Sequence, residues 1–259
     1  MMKMTLYEVA RRSAEPLLPP IYSRVRLKLR REIEGRKEKL SVLDVGGRKS
    51  PYTIGIPAKI TIIDLPRETQ IQHSLTLGIN PQIADQLRQR RSNIENVIFG
   101  DMTCSGLPDA SFDMVVAVEV LEHVEEDEKF VSEVSRVLKP GGKFIMTTPN
   151  GDFVQNTNPD HKRHYKRQQL TNLLSKYFSK TEVEYAIAGG RSRKLGLRSW
   201  SLKRPVWTLG SAVGNIVNSI QSSRAGIEER AIGTHHLFAV SQTAKAAEIF
   251  IGGDRTSQA

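Results

Sequence analysis

SVLDVGGRKS, residues 41–50, is a short apolar run broken only by Asp44 and ending in a turn with two glycines. Near-continuous apolar runs of this length suit strands covered on both faces by helices. A glycine turn at the carboxyl end of such a strand lets backbone N–H groups approach a ligand, at the crevice where α/β sheets bind nucleotides. Two glycines are equally at home in a plain structural turn, so the rest of the chain has to decide.

Working outward, comparable runs stand at KITIIDL (59–65), NVIFGD (96–101), FDMVVAV (112–118) and KFIMTT (143–148). TEVEYAI (181–187) and HHLFAVS (235–241) read as a sixth and a seventh strand. Between the fourth and fifth runs, Phe130, Val131, Val134, Val137 and Leu138 share one face of a helix over about 125–138. Acids crowd its start, Arg136 and Lys139 its end, and Pro140-Gly141-Gly142 stop it. A second helix is predicted over 167–177, with Leu170, Leu173 and Leu174 inward. Strands alternating with helices imply a parallel sheet with right-handed crossovers, an α/β fold of the Rossmann-like kind.

The second strand ends in Asp64, about 20 residues beyond the turn, where an acid commonly takes ribose hydroxyls. The third ends in Gly100-Asp101-Met102. Three strands each ending in an acid on one edge are hard to explain by packing, because buried strand ends do not need acids. The spacing GGRKSP does not fit the Gly-x-Gly-x-x-Gly of a dinucleotide site, where pyrophosphate meets bare backbone at a helix N-terminus.

The order VLDVGGR, TIIDL, GDM, FDMVVAVEVLEHV and LKPGGKFIMTTPN resembles the class I S-adenosylmethionine-dependent methyltransferases, with closest likeness to the ubiquinone-type and small-molecule subgroup. The resemblance runs from Ser41 to Phe178, with 234–242 as the last strand. It implies a seven-stranded sheet, parallel except for an antiparallel last strand, flanked by helices on both faces. It implies S-adenosyl-L-methionine as cofactor, with Asp44, Gly46 and Gly47 at the methionine half and Asp64 on the ribose. Asp101 and the Met102 backbone would meet the adenine, and Glu119 would close the cofactor floor. The family's later glycines are replaced here by Arg48 and Ser50. Arg48 restricts the turn but offers a cation to the methionine carboxylate.

Histidine suits proton removal from an oxygen acceptor near neutral pH. His123 follows the fourth strand, while His161 and His164 lie in DHKRHY after the fifth, all expected on the cofactor rim. Each has a structural alternative: His123 can cap or order Glu119, and His164 with Tyr165 can hold the loop. His235 and His236 begin a strand expected at the hairpin side and read as a surface or packed pair. Thr147-Thr148-Pro149-Asn150 lacks the Asp/Asn-Pro-Pro-aromatic pattern of many amide- and base-nitrogen methyltransferases. A small-molecule, lipid-linked or glycan acceptor, through oxygen, is the expectation; an RNA-directed enzyme or a non-catalytic cofactor-binding scaffold is the alternative.

The 39% hydrophobic and 25% charged fractions over 259 residues exclude collagen-like, disordered and disulfide-scaffold chains. Cys104 stands alone, ruling out a zinc–thiolate cluster or an intrachain disulfide; it reads as a small, partly buried residue, and no metal is expected. The first residues lack the apolar run of a signal peptide, so a cytoplasmic location is expected.

The net charge of +10 is concentrated. Residues 162–204 hold twelve Lys/Arg against two acids, and residues 1–40 hold eleven against five. The expected organisation is a basic amphipathic leader (1–40), a methyltransferase domain (41–245) with an insert at 189–230 that shapes acceptor choice, and a flexible tail (246–259). The leader helix over 21–34 carries Tyr22, Val25, Leu29 and Ile33 on one face. The insert helix over 205–222 carries Val206, Leu209, Val213, Ile216, Val217 and Ile220. A solvated basic surface is the default. An anionic membrane surface at the inner face is the sharper alternative, and nucleic acid is the weaker one because stacking aromatics are sparse. The insert helix is expected to pack its stripe on the core.

Overall fold

The computed structural model describes residues 4–67, 78–197 and 203–245. His73, Trp200 and the tail lie outside them. Seven strands form one sheet in the order β3-β2-β1-β4-β5-β7-β6. They are β1 (Ser41–Val45), β2 (Lys59–Asp64), β3 (Ile94–Phe99), β4 (Phe112–Val118), β5 (Leu138–Pro149), β6 (Lys180–Ala188) and β7 (Thr234–Gln242). β1 to β5 pair in parallel, and β7 runs antiparallel to both β5 and β6. The expected topology is present strand for strand.

Alternation along the strands builds two core layers. Leu43, Val115, Ala117, Phe144 and Met146 face α4 (Asp127–Val137) and α5 (Arg167–Ser175) through Phe130, Val134, Leu170 and Leu174. Val42, Ile60, Ile62, Met114, Val116 and Ile145 face α2 (Pro20–Ile33) through Ile21, Val25, Leu29 and Ile33. The N-terminal helix is thus a layer of the domain rather than an appended leader, and its apolar stripe is taken up by the sheet. A short α1 (Leu6–Ser13) precedes it, capped by Thr5 and Glu8 in a reciprocal box. α3 (Pro81–Arg90) covers the β3 edge. α4 ends at Val137, one residue before the expected Leu138, which begins β5; Pro140-Gly141-Gly142 lies in the irregular start of that strand, where the register against β4 shifts.

The insert behaves against expectation. It folds into α6 (Arg191–Gly196) and α7 (Pro205–Ser222), but α7 packs with its apolar stripe outward. Val206 is 79% exposed, Leu209 68% and Ile220 65%, while Ser211, Ala212, Gly214, Asn215 and Asn218 are buried. The cause is what the helix meets. Asn215 Nδ2 donates to the carbonyls of Leu17 (2.9 Å) and Gly196 (3.1 Å), and Asn218 Nδ2 donates to that of Ala188 (2.7 Å). Ser211 Oγ donates to Gly196 O, and Ser222 Oγ accepts the Ala188 N–H. Buried main-chain groups at a strand end and a helix end need partners, and a polar face supplies them.

Candidate active site

The carboxyl ends of β1 to β4 open into a cavity of about 510 Å³. Gly46 makes the turn out of β1 with φ 68°, and its N–H donates to Ile63 O at 2.8 Å. A side chain at Gly47 would place its Cβ 2.4 Å from the Asp44 carboxyl carbon, so this position is held to glycine by the acid beneath it. Gly46 and Arg48 line the cavity, whereas Gly47 and Asp44 do not.

Asp44 departs most from expectation. It is fully buried and accepts hydrogen bonds from Ser50 Oγ (3.1 Å), Tyr52 OH (3.0 Å) and Thr53 Oγ1 (2.7 Å). Arg91 Nη2 in turn donates to Thr53 Oγ1 at 2.7 Å. Burial raises the Asp44 pKa, against the pull of Arg91 and the three hydroxyls. The segment Ser50–Thr53 folds back over the carboxylate, so Asp44 anchors the turn from below instead of walling the cleft.

The other acids reach the cleft. Asp64, half-buried at the end of β2, accepts the Leu65 N–H at 2.9 Å. Burial raises its pKa; the Leu65 N–H and the nearby Arg48 and Arg67 act in the opposite sense. Arg48 therefore sits within the field of Asp64, on the cleft wall. Asp101 is exposed and accepts from Thr103 N (2.8 Å) and Oγ1 (2.9 Å), with Met102 buried behind it. Cys104, at the end of this turn, is exposed rather than partly buried.

Glu119 follows β4 with φ 56°, a left-handed backbone that costs a non-glycine residue about 1–3 kcal/mol. Thr147 Oγ1 donates to its Oε1 at 2.9 Å, and His236 Nε2 lies 3.4 Å from Oε2. Burial would raise the Glu119 pKa, but His236, Thr147 and His235 outweigh it and hold it near 2.

His235 and His236 are the residues that sequence reasoning placed on the wrong side. β7 is antiparallel, so its start pairs with the end of β5, His236 opposite Pro149, on the cleft rim. An antiparallel last strand was already expected, and following its direction would have found them. Burial, His236 and Arg193 push the His235 pKa down to about 3. Arg193, on α6, is itself lowered to about 10 by burial, against the attraction of Glu119. The insert thereby reaches the rim.

His123, His161 and His164 lie together, and of the three His123 lines the cavity. The His123 and His161 rings meet edge to face at 4.6 Å between centroids. His123 Nδ1 lies 3.1 Å from Asp160 O, His161 Nδ1 lies 2.8 Å from His164 Nε2, and His164 Nδ1 lies 2.9 Å from Val154 O. Burial, with His123 and His164 nearby, lowers the His161 pKa. Tyr165 is buried and gives its hydroxyl to Asp127 Oδ2 at 2.7 Å, which fixes the loop. Asn150 is likewise structural: fully buried, it donates to Ala231 O at 3.0 Å.

Residues 59–146 match the methyltransferase domain family. A probable S-adenosylmethionine-dependent methyltransferase of Mycolicibacterium smegmatis is 42% identical over 80 residues, 29% of this chain and 31% of that one. A ubiquinone biosynthesis O-methyltransferase of Xanthomonas oryzae pv. oryzae is 28% identical over 58% of this chain and 64% of its own. The chain spans about a third of the length of the first of these relatives. A crystal structure of a SAM-dependent methyltransferase from Archaeoglobus fulgidus superimposes with a TM-score of 0.52 at 18% identity, covering 86% of this chain and 94% of its own. In matched segment, strand order and acid-edged cleft, this chain is similar to the S-adenosylmethionine-dependent methyltransferases.

Proposed function

We propose that the protein transfers the methyl group of S-adenosylmethionine to an oxygen of a small-molecule, lipid-linked or glycan acceptor. The observation that carries this is Asp64 and Asp101, at the ends of β2 and β3, facing one cavity of a size usual for small ligands. In this reading Asp64 holds the ribose hydroxyls, Asp101 and the Met102 backbone hold the adenine, and Gly46 leaves room for the methionine half. Arg48 stands where it can meet a carboxylate. When bound, S-adenosylmethionine supplies an electrophilic methyl on a sulfonium, and displacement there depends chiefly on positioning. His123 lines the cleft with the His161 ring packed against it, where the acceptor's hydroxyl has to lose its proton. Burial, with His123 and His164 nearby, lowers the His161 pKa and so favours the neutral ring that can take part.

A lipidic acceptor is favoured by α7, whose exposed stripe follows the exposed basic residues Arg191, Lys194, Lys203 and Arg204 along the chain. We place the insert against an anionic membrane surface, with α2 taking no part because its own stripe is buried. A ubiquinone-pathway relative accords with an apolar acceptor.

Calorimetry with S-adenosylmethionine tests the first half. Asp64→Ala should weaken binding about 10- to 100-fold, the worth of one hydrogen-bonded charge, with unchanged thermal melting. Absence of binding by the wild type would make the fold a scaffold. If it binds, methyl transfer into extracted lipids, small molecules and RNA identifies the acceptor, and labelled RNA without labelled lipid would overturn the lipidic reading.

A further inference from the structure

Among the described residues, Glu122 is an anomalous side chain. It lies in the turn Leu121–His123, is fully buried, and neither carboxylate oxygen makes a hydrogen bond of full geometry, although the Thr148 hydroxyl and the residue's own backbone N–H lie near enough to act on it. Burial and the neighbouring Glu119 raise its pKa well above the ordinary carboxylate range. A buried acid without a counter-charge costs several kcal/mol unless something positive or protic sits beside it. Among the described residues, His123 and His161 stand beside it. One ligand atom each from Glu122, His123 and His161 lie within 4.8 Å of one another.

The hydrogen bonds around the group set the ring nitrogens for coordination. His164 Nδ1–H donates to Val154 O, leaving its Nε2 to accept from His161 Nδ1–H. His123 Nδ1–H donates to Asp160 O. Both chains of bonds end by presenting Nε2 of His123 and His161 as bare lone pairs, the tautomer a metal takes. The loop that brings His161 is fastened to Glu122 itself, whose carbonyl accepts the Lys162 N–H at 2.7 Å. Around a cation with bonds of about 2.0–2.2 Å, ligand atoms stand about 3–4.4 Å apart, so small side-chain rotations close the group.

We propose that Glu122, His123 and His161 form a divalent-cation site of the zinc, manganese or iron class, on the acceptor side of the cleft. Two imidazoles and one carboxylate suit those ions better than magnesium or calcium. Three protein ligands leave a position open, as catalytic rather than structural sites do. His123 and Asp160 line the cavity, so the open position faces it. There it would take an acceptor oxygen and ease the loss of its proton, with the histidines holding the ion instead of serving as the base. That role rests on the methyl-transfer reading; the binding of the ion does not.

The test is made on the full chain, stripped with chelator and free of S-adenosylmethionine. Co2+ is titrated and followed by its visible absorption, and Zn2+ by calorimetry. We expect a single equivalent of each and a metal-dependent rise in melting temperature. His161→Gln and His123→Gln should abolish the Co2+ spectrum or change its form. His164→Gln, which frees the supporting bond alone, should cost about 10- to 100-fold in affinity. Glu122→Gln keeps the side chain's size and removes the buried charge, so it should remain folded by circular dichroism while losing the metal-dependent rise. Failure of the wild type to bind either ion at millimolar concentration would overturn the proposal. So would equal affinity in all four variants. S-adenosylmethionine calorimetry on the same samples separates this outcome from failure of the methyl-transfer reading.

Discussion

Asp44 and Glu119 end neighbouring strands, and both carboxylates are gripped by hydroxyls, yet only one meets the cleft. Asp44 holds Ser50, Tyr52 and Thr53 above β1, and through Thr53 it neutralises the buried Arg91. Asp44→Ala would orphan that group, and each buried polar group left unsatisfied costs about 1–3 kcal/mol. The expected outcome is a loss of at least about 3 kcal/mol in urea unfolding, larger than for Asp64→Ala at the half-buried rim. An Asp44→Ala protein as stable as wild type, with cofactor affinity alone reduced, would return Asp44 to the cleft wall. The positions of Asp64, Asp101, Glu119 and the three loop histidines were legible because strand ends and their order follow from apolar runs. The inward turn of Asp44 was not, since it depends on where residues 50–53 fold back, and no periodicity encodes that. The partnership of Glu119 with His236 depends on strand direction, which was legible but not followed through.

At the scale of elements, α4 is bonded to the turn after β3 through one acid, Glu133. Glu133 accepts the Ser105 N–H at 3.1 Å and its hydroxyl at 2.6 Å, and pairs with Arg136 at 2.6 Å. Arg136 and Ser105 hold the Glu133 pKa near 2, outweighing burial. A carboxylate depressed in the folded state stabilises it fully above the unfolded pKa of about 4.3, and the benefit is lost as pH falls toward 2. Glu133→Gln should therefore cost about 1–2 kcal/mol at pH 7 after allowance for solvent screening, with the deficit shrinking between pH 4 and about 2. A deficit constant across that range would mean that the charge contributes nothing. The helices α2, α4, α5 and α7 were legible from their stripes, with bounds close to those observed, whereas α1, α3 and α6 carry no stripe that singled them out. What a stripe cannot tell is which way it faces. Burial of α7 was decided by main-chain groups at Ala188, Gly196 and Leu17, whose need for partners exists only once the fold is made.

The charge of the whole molecule resolves in the same way. Several N-terminal cations are paired inside the domain: Arg24 pairs with Glu184 at 2.6 Å, Arg26 with Glu15 at 3.0 Å, and Lys28 with Glu32 at 3.4 Å. The insert is different, since Arg191, Lys194, Lys203 and Arg204 are exposed next to an exposed apolar helix. Placed on an anionic bilayer, each such cation contributes about 1 kcal/mol that salt removes, while the buried apolar area contributes an amount that salt does not. Flotation with vesicles should therefore show strong binding to anionic lipid at low salt, weaker binding at high salt, and a residual that persists. Leu209→Glu with Ile220→Glu should abolish the residual and leave stability within about 1 kcal/mol, because both side chains are exposed already. Flotation of that double variant equal to wild type would mean that the outward stripe of α7 serves some other contact, and the lipidic acceptor would lose its main support.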